Sequence, residues 1–598
     1  MTLNFDAVGN VPALIAARVA LSPDLIACHC RASTGVWQNV TWRQYGDDIA
    51  RAARGFVACG LRPGDSVAIL APPSYRWEVT EKAVFAAGGV VTGLDHLASK
   101  AQKTKYIARL APAVLVVGAA SELADLDADV LASLKRIVVL NAESVEQGLA
   151  WPQLMAAGAA EQPLPALLPE ATATIVFTSG SSGEPKAVPY SQKQLVLAAK
   201  SILAAFGPAD ERDVTLCWLP LSNLFQRVMN LCAVGAGAQI FFAPDPRRVM
   251  EEIAEVRPSV FIGVPRFYEK VSERAEATIA GLGAVKQGLV RQAMAASQAG
   301  FAKQADGTPL STIERGRTAL ADRVVLRGLR RRIFGDRIRL LITGSAATPL
   351  PVKRFFTGIG LPLVEAYAMT ENIVPMTVSR NLNRGQGCVG RPLPENEIRI
   401  DEAGEILVRG PGVFAGYVGD AESMQRFTED GFFRTGDEGR FDESGCLYLT
   451  GRKSDLIKTS TGRRIPPTPI EAELRAAALV QEAVVVGNGR KCLTAVLALD
   501  PEAVNGTPPG ELLKQLSYHV QQTNQARASY ERIAGCVVLH GGFSIGQGHL
   551  TTNLKPRRGH IEEAVAHPLE QLYRAINENE PQKGDVQRVD DIAFAEAS

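Results

Sequence analysis

The stretch TIVFTSGSSGEPKAVPY (174–190) turns abruptly from β-branched, apolar residues into Thr, Ser and Gly, then reaches a proline and a lysine. A buried strand ending in Thr178-Ser179-Gly180-Ser181-Ser182-Gly183 offers successive backbone N–H groups and hydroxyls with few side chains to block approach. That is a nest for phosphate oxygens. Lys186 follows Pro185 and brings a cation to the same place. The Gly-Lys-Ser/Thr ending of a Walker loop is missing, which disfavours a P-loop nucleotide hydrolase. Taken alone, such a turn is more often only a turn, but further residues add to it. EAYAMTEN (365–372) sets Tyr367, able to stack on a flat base, four residues before Glu371, a carboxylate suited to Mg²⁺ through intervening water. TGD (435–437) ends in Asp437, an acid fit to grip two ribose hydroxyls, and Arg452 follows at a short interval. Together these residues make a nucleotide site.

Such residues need a scaffold. SVAILAP (66–72), PAVLVVGA (112–119), RIVVLN (136–141) and TIVFTSG read as short buried strands, because they are apolar runs closed by turn residues. Helical patterns lie between them, for example Trp42 to Cys59, which starts at a Thr41 cap and stops before Gly60. The alternation implies largely parallel sheets covered on both faces. Residues 266–335 read as a charged helical excursion with a turn at Asp306-Gly307-Thr308-Pro309. From about 385 to 450, short strands and tight turns suggest antiparallel structure. Beyond GRKSDLIKTSTGRRIPP (451–467) comes an α+β segment, with the domain boundary expected at 452–455.

Composition narrows the class. The chain has 598 residues, 46% of them hydrophobic, ample for a sizeable core. A net charge of +1 argues against the long-range basic field of a nucleic-acid binder. The cluster Arg327, Arg330, Arg331 and Arg332 reads as a solvated helix face. Nine cysteines without a framework fit a reducing cytoplasm, and Cys28-His29-Cys30 reads as strand packing rather than a metal site. The N-terminal MTLNFDAVGN lacks the pattern of a secretory signal, and no apolar run approaches the roughly 20 residues of a membrane-spanning helix. Transient contact with a membrane surface and a homodimer stay open.

TSGSSGEPKAV, YAMTEN, GEILVRGPGVFAGY, FFRTGDEGR and GRKSDLIKTSTGRRI occur in this order, and the chain resembles the adenylate-forming superfamily over about residues 10–575. That superfamily includes acyl-CoA synthetases, firefly luciferase and the adenylation domains of peptide synthetases. RPSVFIGVPRFYEKV (257–271), the helical excursion after it, and HLTTNLKPRRGHIEEAV (549–565) are similar to long-chain fatty acyl-CoA synthetases. The resemblance implies an α/β fold. A large N-terminal domain (1–452) would hold stacked, mostly parallel sheets with helices and a small β-barrel-like subdomain, and a small mobile α+β lid would follow (455–598).

It also implies ATP, Mg²⁺ and CoA as cofactors and a small-molecule carboxylic acid as substrate, joined through an acyl-adenylate and then a thioester. Lys555, Thr178 and Glu371 would be catalytic, with Lys555 bridging the acyl carboxylate and the α-phosphate and Glu371 holding Mg²⁺. The loop from Thr178 to Lys186 would cradle phosphates, with Thr370 near the α-phosphate. Gly344, Ser345 and Ala346 would meet the adenine edge, and Glu365, Ala366 and Tyr367 the nucleotide. Asp437 and Arg452 would hold the ribose. Ser454 and Asp455 would form a hinge, and the loop around Gly462 the thiol channel. Asn223, Phe225, Val264 and Ala368 would line the acyl or acceptor pocket.

Departures from the family pattern fall near that pocket. Asn223 stands where a histidine is expected, and an amide cannot take a positive charge. Ala368 replaces a glycine and Ser454 a charged hinge residue, and TGLDHLAS (92–99) departs from a Pro-rich, Thr-containing segment. Two other readings follow: an adenylating enzyme with another acceptor, such as a carrier protein or an internal hydroxyl closing a β-lactone, and a binding protein that keeps the fold without turnover.

Overall fold

The helix Trp42–Ala58 shows how local chemistry sets the elements. Thr41 accepts from the Gln44 N–H at 3.2 Å while the Gln44 side chain accepts from the Thr41 N–H, a reciprocal cap. Trp42, Tyr45, Ile49, Ala52 and Phe56 then bury one face, and Gly60, at φ +81°, takes the chain out. The computed structural model describes every residue except 1–2, 32–34, 147, 180–184, 306, 380–386, 454, 478, 526, 540–541, 545, 551–555, 579–591 and 596–598.

The expected apolar runs are strands. Ser66–Leu70, Val114–Val117 and Ile137–Val139 lie side by side and parallel in a seven-stranded sheet with Val90–Leu94 and Leu149–Ala150. The strand Thr172–Ser179 pairs parallel to Val90–Leu94 and antiparallel to Pro185–Ser191. Prolines 185 and 189 are tolerated because this return strand is the sheet's edge, where a missing N–H breaks no second ladder.

A second, thirteen-stranded sheet carries a parallel block in the spatial order Ile26–Arg31, Gln239–Phe242, Val214–Cys217, Val260–Gly263, Leu340–Gly344 and Leu363–Met369. Antiparallel strands continue it from Asn372–Ser379 to Cys388–Pro392, Leu447–Arg452, Phe433–Phe441, Glu405–Arg409 and Glu397–Ile400. The β-barrel-like subdomain is therefore corrected: among the described residues these strands extend an open sheet, because Cys388–Pro392 pairs with Asn372–Ser379 on one side and Leu447–Arg452 on the other. Residues 265–334 are helical, as Pro265–Ala280, Ala284–Ala305, Thr312–Ala321, a π turn Asp322–Leu326 and Arg327–Phe334. His29 accounts for its own burial: its Nε2 meets Gln239 Oε1 at 2.9 Å and its ring stacks on Phe241 at 3.8 Å.

The chain divides into two compact units. One comprises residues 1–401, 406–435 and 441–448, the other 402–405, 436–440 and 449–598. The second is built on Val480–Val486, Leu493–Leu499, Ile533–Leu539 and Ile592–Ala595, a four-stranded mixed sheet. Strand alternation sends Ala483 and Val485 against Leu474, Leu512 and Leu516, and Val484 and Val486 against Ile561, Leu569 and Tyr573. Both faces are thus covered by helices.

Candidate active site

The hairpin of Thr172–Ser179 and Pro185–Ser191 pairs Thr178 with Lys186 and Ser179 with Pro185. Thr178 and Ser179, the first two residues of the expected phosphate nest, thus lie in the hairpin. Gly180, Ser181, Ser182 and Gly183 themselves lie outside the described residues. The Lys186 ammonium sits over the Tyr417 ring, 4.7 Å from its centroid. The Tyr417 hydroxyl in turn donates to Glu371 Oε1 at 2.7 Å. Two backbone bonds fix this contact, Val418 N–H to Ala187 O at 2.9 Å and Phe414 N–H to Glu371 O at 3.0 Å. Burial, and then the Glu371 carboxylate, push the Tyr417 phenol well above its usual range, so it stays a donor. Buried Tyr190 is raised for the same reasons, and its hydroxyl donates to Thr370 O.

Sequence reasoning found Lys186 and Glu371 but missed the tyrosine between them. Tyr417 closes the quoted PGVFAGY, and an aromatic after a Gly-rich turn was the available signal.

Glu371 and Thr370 form the two-residue turn between Leu363–Met369 and Asn372–Ser379, closed by the pair Met369 and Asn372. The register breaks between Tyr367 and Met369, and Ala368 stands exposed at that irregularity. Tyr367 is buried, at 8% exposure. On the neighbouring strand Gly344 pairs with Ala366. A Cβ there would lie 3.3 Å from Ala366 O and 4.0 Å from the Phe225 ring.

Ser345 follows at φ +73°, one of three non-glycine residues in the left-handed region among those described. Glu365, expected among the nucleotide contacts, is buried instead: Oε1 accepts the Thr348 N–H at 2.8 Å and Oε2 pairs with the Lys353 ammonium. With both oxygens engaged it braces the 344–348 loop, which positions Gly344, Ser345 and Ala346.

Asn223 caps the helix Leu224–Ala236 by position, though its side chain makes no capping bond, and Phe225 is half-buried beside it. Val264 is the corresponding cap of Pro265–Ala280 and is buried. Behind Asn223 runs a network that sequence reasoning did not find. Arg227 pairs with Glu81 and donates to Thr174 Oγ1 at 2.8 Å, tying the helix to the strand Thr172–Ser179. Asn230 donates to Glu78 Oε2 at 3.0 Å, Tyr45 to Glu78 Oε1 at 3.1 Å, and Lys82 pairs with both Glu78 and Glu81. Burial alone would raise the Glu81 carboxyl, but Arg227 and Lys82 outweigh it and hold it below its usual range. Burial likewise opposes the Lys82 charge, and Glu78 and Glu81 raise it nonetheless.

In the second unit Asp437 and Arg452 meet, Nε to Oδ1 at 3.0 Å. Their strand neighbours fix the geometry, Gly436 N–H to Glu405 Oε1 at 2.9 Å and Lys453 Nζ to Glu405 Oε2 at 2.8 Å. The Asp455 N–H bonds Arg452 O at 3.0 Å, while Ser454 lies outside the described residues. Gly462, at φ +81° with nothing within 4 Å of a would-be Cβ, turns the chain between Ile457–Lys458 and Arg464–Ile465. Lys555 also lies outside the described residues, between Leu550 and Pro556, which bridge one another.

Glu371 suits Mg²⁺: its carboxylate is oriented by Tyr417, and Tyr190 of the 172–191 hairpin donates to the neighbouring Thr370 O. Among the described residues no group of three or more His, Cys, Asp or Glu could hold a metal, so phosphate oxygens and water would complete its shell.

Residues 454–577 match the AMP-binding enzyme C-terminal domain. The long-chain-fatty-acid–CoA ligase FadD15 of Mycobacterium bovis is 30% identical over 589 residues, covering 94% of this chain and 97% of that protein. The long-chain-fatty-acid–CoA ligase ACSBG1 of Rattus norvegicus is 28% identical, covering 88% and 77%. The fold is that of the adenylation domain of a carboxylate reductase from Mycobacterium chelonae, with a TM-score of 0.78, 22% identity and 95% and 93% coverage. The anthranilate CoA ligase AuaEII bound to anthranoyl-AMP gives 0.71 at 18% identity, over 94% and 99%. Residues 15–418 match the AMP-binding enzyme family, and the chain belongs to it.

Proposed function

We propose that the protein is an ATP-dependent, AMP-forming ligase that converts a long-chain fatty acid to its CoA thioester through an acyl-adenylate. The observation that carries this reading is the Lys186–Tyr417–Glu371 arrangement beside the phosphate hairpin, which sets a cation and an oriented carboxylate where a polyphosphate would lie. Phosphoryl chemistry of this kind needs positioning and charge stabilisation more than covalent help. Glu371 would hold Mg²⁺, which supplies charge neutralisation on phosphate oxygens. The chain's own groups do the rest: the 174–186 hairpin orients the phosphates, the braced 344–348 loop meets the base edge, and the Asp437–Arg452 pair offers a carboxylate for the ribose. Lys555 is the proposed cation for the acyl carboxylate in the first half-reaction. A hinge at 452–455 is proposed to withdraw it before thiol attack, so that the two chemistries do not compete.

The acid is proposed to be long-chain because relatives carrying that name, matched over 97% and 77% of their length, support it. A cytoplasmic location is proposed because all nine cysteines are free thiols, as a reducing compartment keeps them. Asn223 favours a second reading, transfer of the acyl group to another acceptor. Pyrophosphate exchange with a panel of acids, with and without CoA, separates the two. Exchange with long-chain acids and CoA-dependent thioester release are expected; exchange without thioester formation would remove the CoA ligase and leave the alternative acceptor.

A further inference from the structure

The helical excursion has one face that its own packing leaves uncovered. Thr312–Ala321, the π turn and Arg327–Phe334 run on without interruption; the last leans on Val249–Val256 and the first two on the helix Ala284–Ala305. There Glu314 pairs with the Lys303 ammonium, and a Cβ on Gly300 would meet Thr318 Oγ1 at 3.5 Å. On the outer side Ile313 is 77% exposed, Leu320 64% and Val324 69%. These are large apolar side chains at helical spacing, and Arg317, Arg327 and Arg331 stand exposed between and beyond them. No described carboxylate pairs with any of these three arginines.

Between residues 312 and 334 there are seven Arg against two acids, Glu314 and Asp322, whereas the whole chain carries +1. The positive surplus is thus concentrated on the element that also exposes its apolar residues. A helix with arginines interleaved among exposed Ile, Leu and Val has the chemistry of one lying in the plane of a lipid interface. No helix among the described residues is long and apolar enough to cross a membrane, so contact would be lateral.

We propose that the outer face of the 312–334 helix docks on an anionic phospholipid bilayer, the apolar residues entering the headgroup boundary and the arginines pairing with lipid phosphates. The charge selects this occupant. A second copy of the chain would present the same positive surplus and repel it, and a nucleic acid would gain nothing from three exposed aliphatic side chains. The inference does not depend on which acid the active site takes.

The test is co-sedimentation of the full chain with vesicles of phosphatidylcholine alone and of phosphatidylcholine mixed with phosphatidylglycerol. Binding to the mixed vesicles, weak or absent binding to the neutral ones, and release by salt are expected. Each basic residue near an anionic leaflet contributes roughly fivefold in affinity, so R317E/R327E/R331E should weaken binding by about a hundredfold or more. I313D/L320D/V324D should lose it while keeping the unfolding midpoint and the activity on dispersed acid. The proposal is overturned if the protein ignores anionic vesicles, if it binds both vesicle types equally, or if both triple variants bind as the parent does. It is overturned equally if the apolar variant instead abolishes a concentration-dependent dimer.

Discussion

Removing one oxygen atom at Tyr417 isolates the contact on which the site's electrostatics turn. Tyr417→Phe keeps the ring under the Lys186 ammonium, 4.7 Å from its centroid, but deletes the hydroxyl that donates to Glu371 Oε1 at 2.7 Å. A hydrogen bond to a charged group contributes about 1.5–3 kcal/mol. If that energy orients the carboxylate, its loss should lower kcat/KM for pyrophosphate exchange by about tenfold to a hundredfold. It should also raise the Mg²⁺ concentration needed for half-maximal exchange. Tyr417→Leu removes the cation–π contact as well and should lower the rate further, with a rise in KM for ATP. Exchange rates measured across a Mg²⁺ series at saturating acid read both effects. If Y417F exchanges at the parental rate with an unchanged Mg²⁺ dependence, Tyr417 does not orient Glu371 for the metal, and the reasoning from this geometry fails.

Arg227→Met leaves Glu81 buried with one cation fewer and should cost about 3–5 kcal/mol in a urea titration. Because the folded Glu81 carboxyl lies below 4.5, its contribution is fully present above that pH and is lost as pH falls through the folded value. The parent should therefore lose stability below about pH 4.5, and R227M should show a smaller acid loss from this group. Gly344→Ala places a methyl 3.3 Å from Ala366 O and should raise KM for ATP several-fold with little change in the unfolding midpoint, as initial rates will show. Asn223→His introduces a group that titrates near pH 6.5, so thioester formation should gain a pH dependence there that the parent lacks, while pyrophosphate exchange keeps its profile.

Residues whose roles are local were readable in the sequence. The Thr41 cap and the apolar strands depend on neighbours a few positions away, although the strand expected to end at Phe177 runs on to Ser179. Glu78, Glu81 and Lys82 gave no such signal. Arg227, the partner of Glu81, is 146 residues from it, and three charged residues on a helix look like a solvated face until the chain folds over them. The open sheet was hidden for the same reason: antiparallel texture is visible in residues 385–450, but which strand borders which is a long-range choice. Glu365 sits in a motif otherwise rich in nucleotide-facing positions, and only its bonds to Thr348 and Lys353 reveal a brace. The return strand Pro185–Ser191 was obscured by its own prolines, which an edge position permits.

The most direct test of the account is a single turnover followed by mass spectrometry. Protein, ATP, Mg²⁺ and a long-chain acid are mixed first without CoA, then with it. An acyl-adenylate should form with release of pyrophosphate, then disappear on adding CoA as equal amounts of AMP and acyl-CoA arise. Release of ADP, or an adenylate that persists unchanged in the presence of CoA, would contradict it.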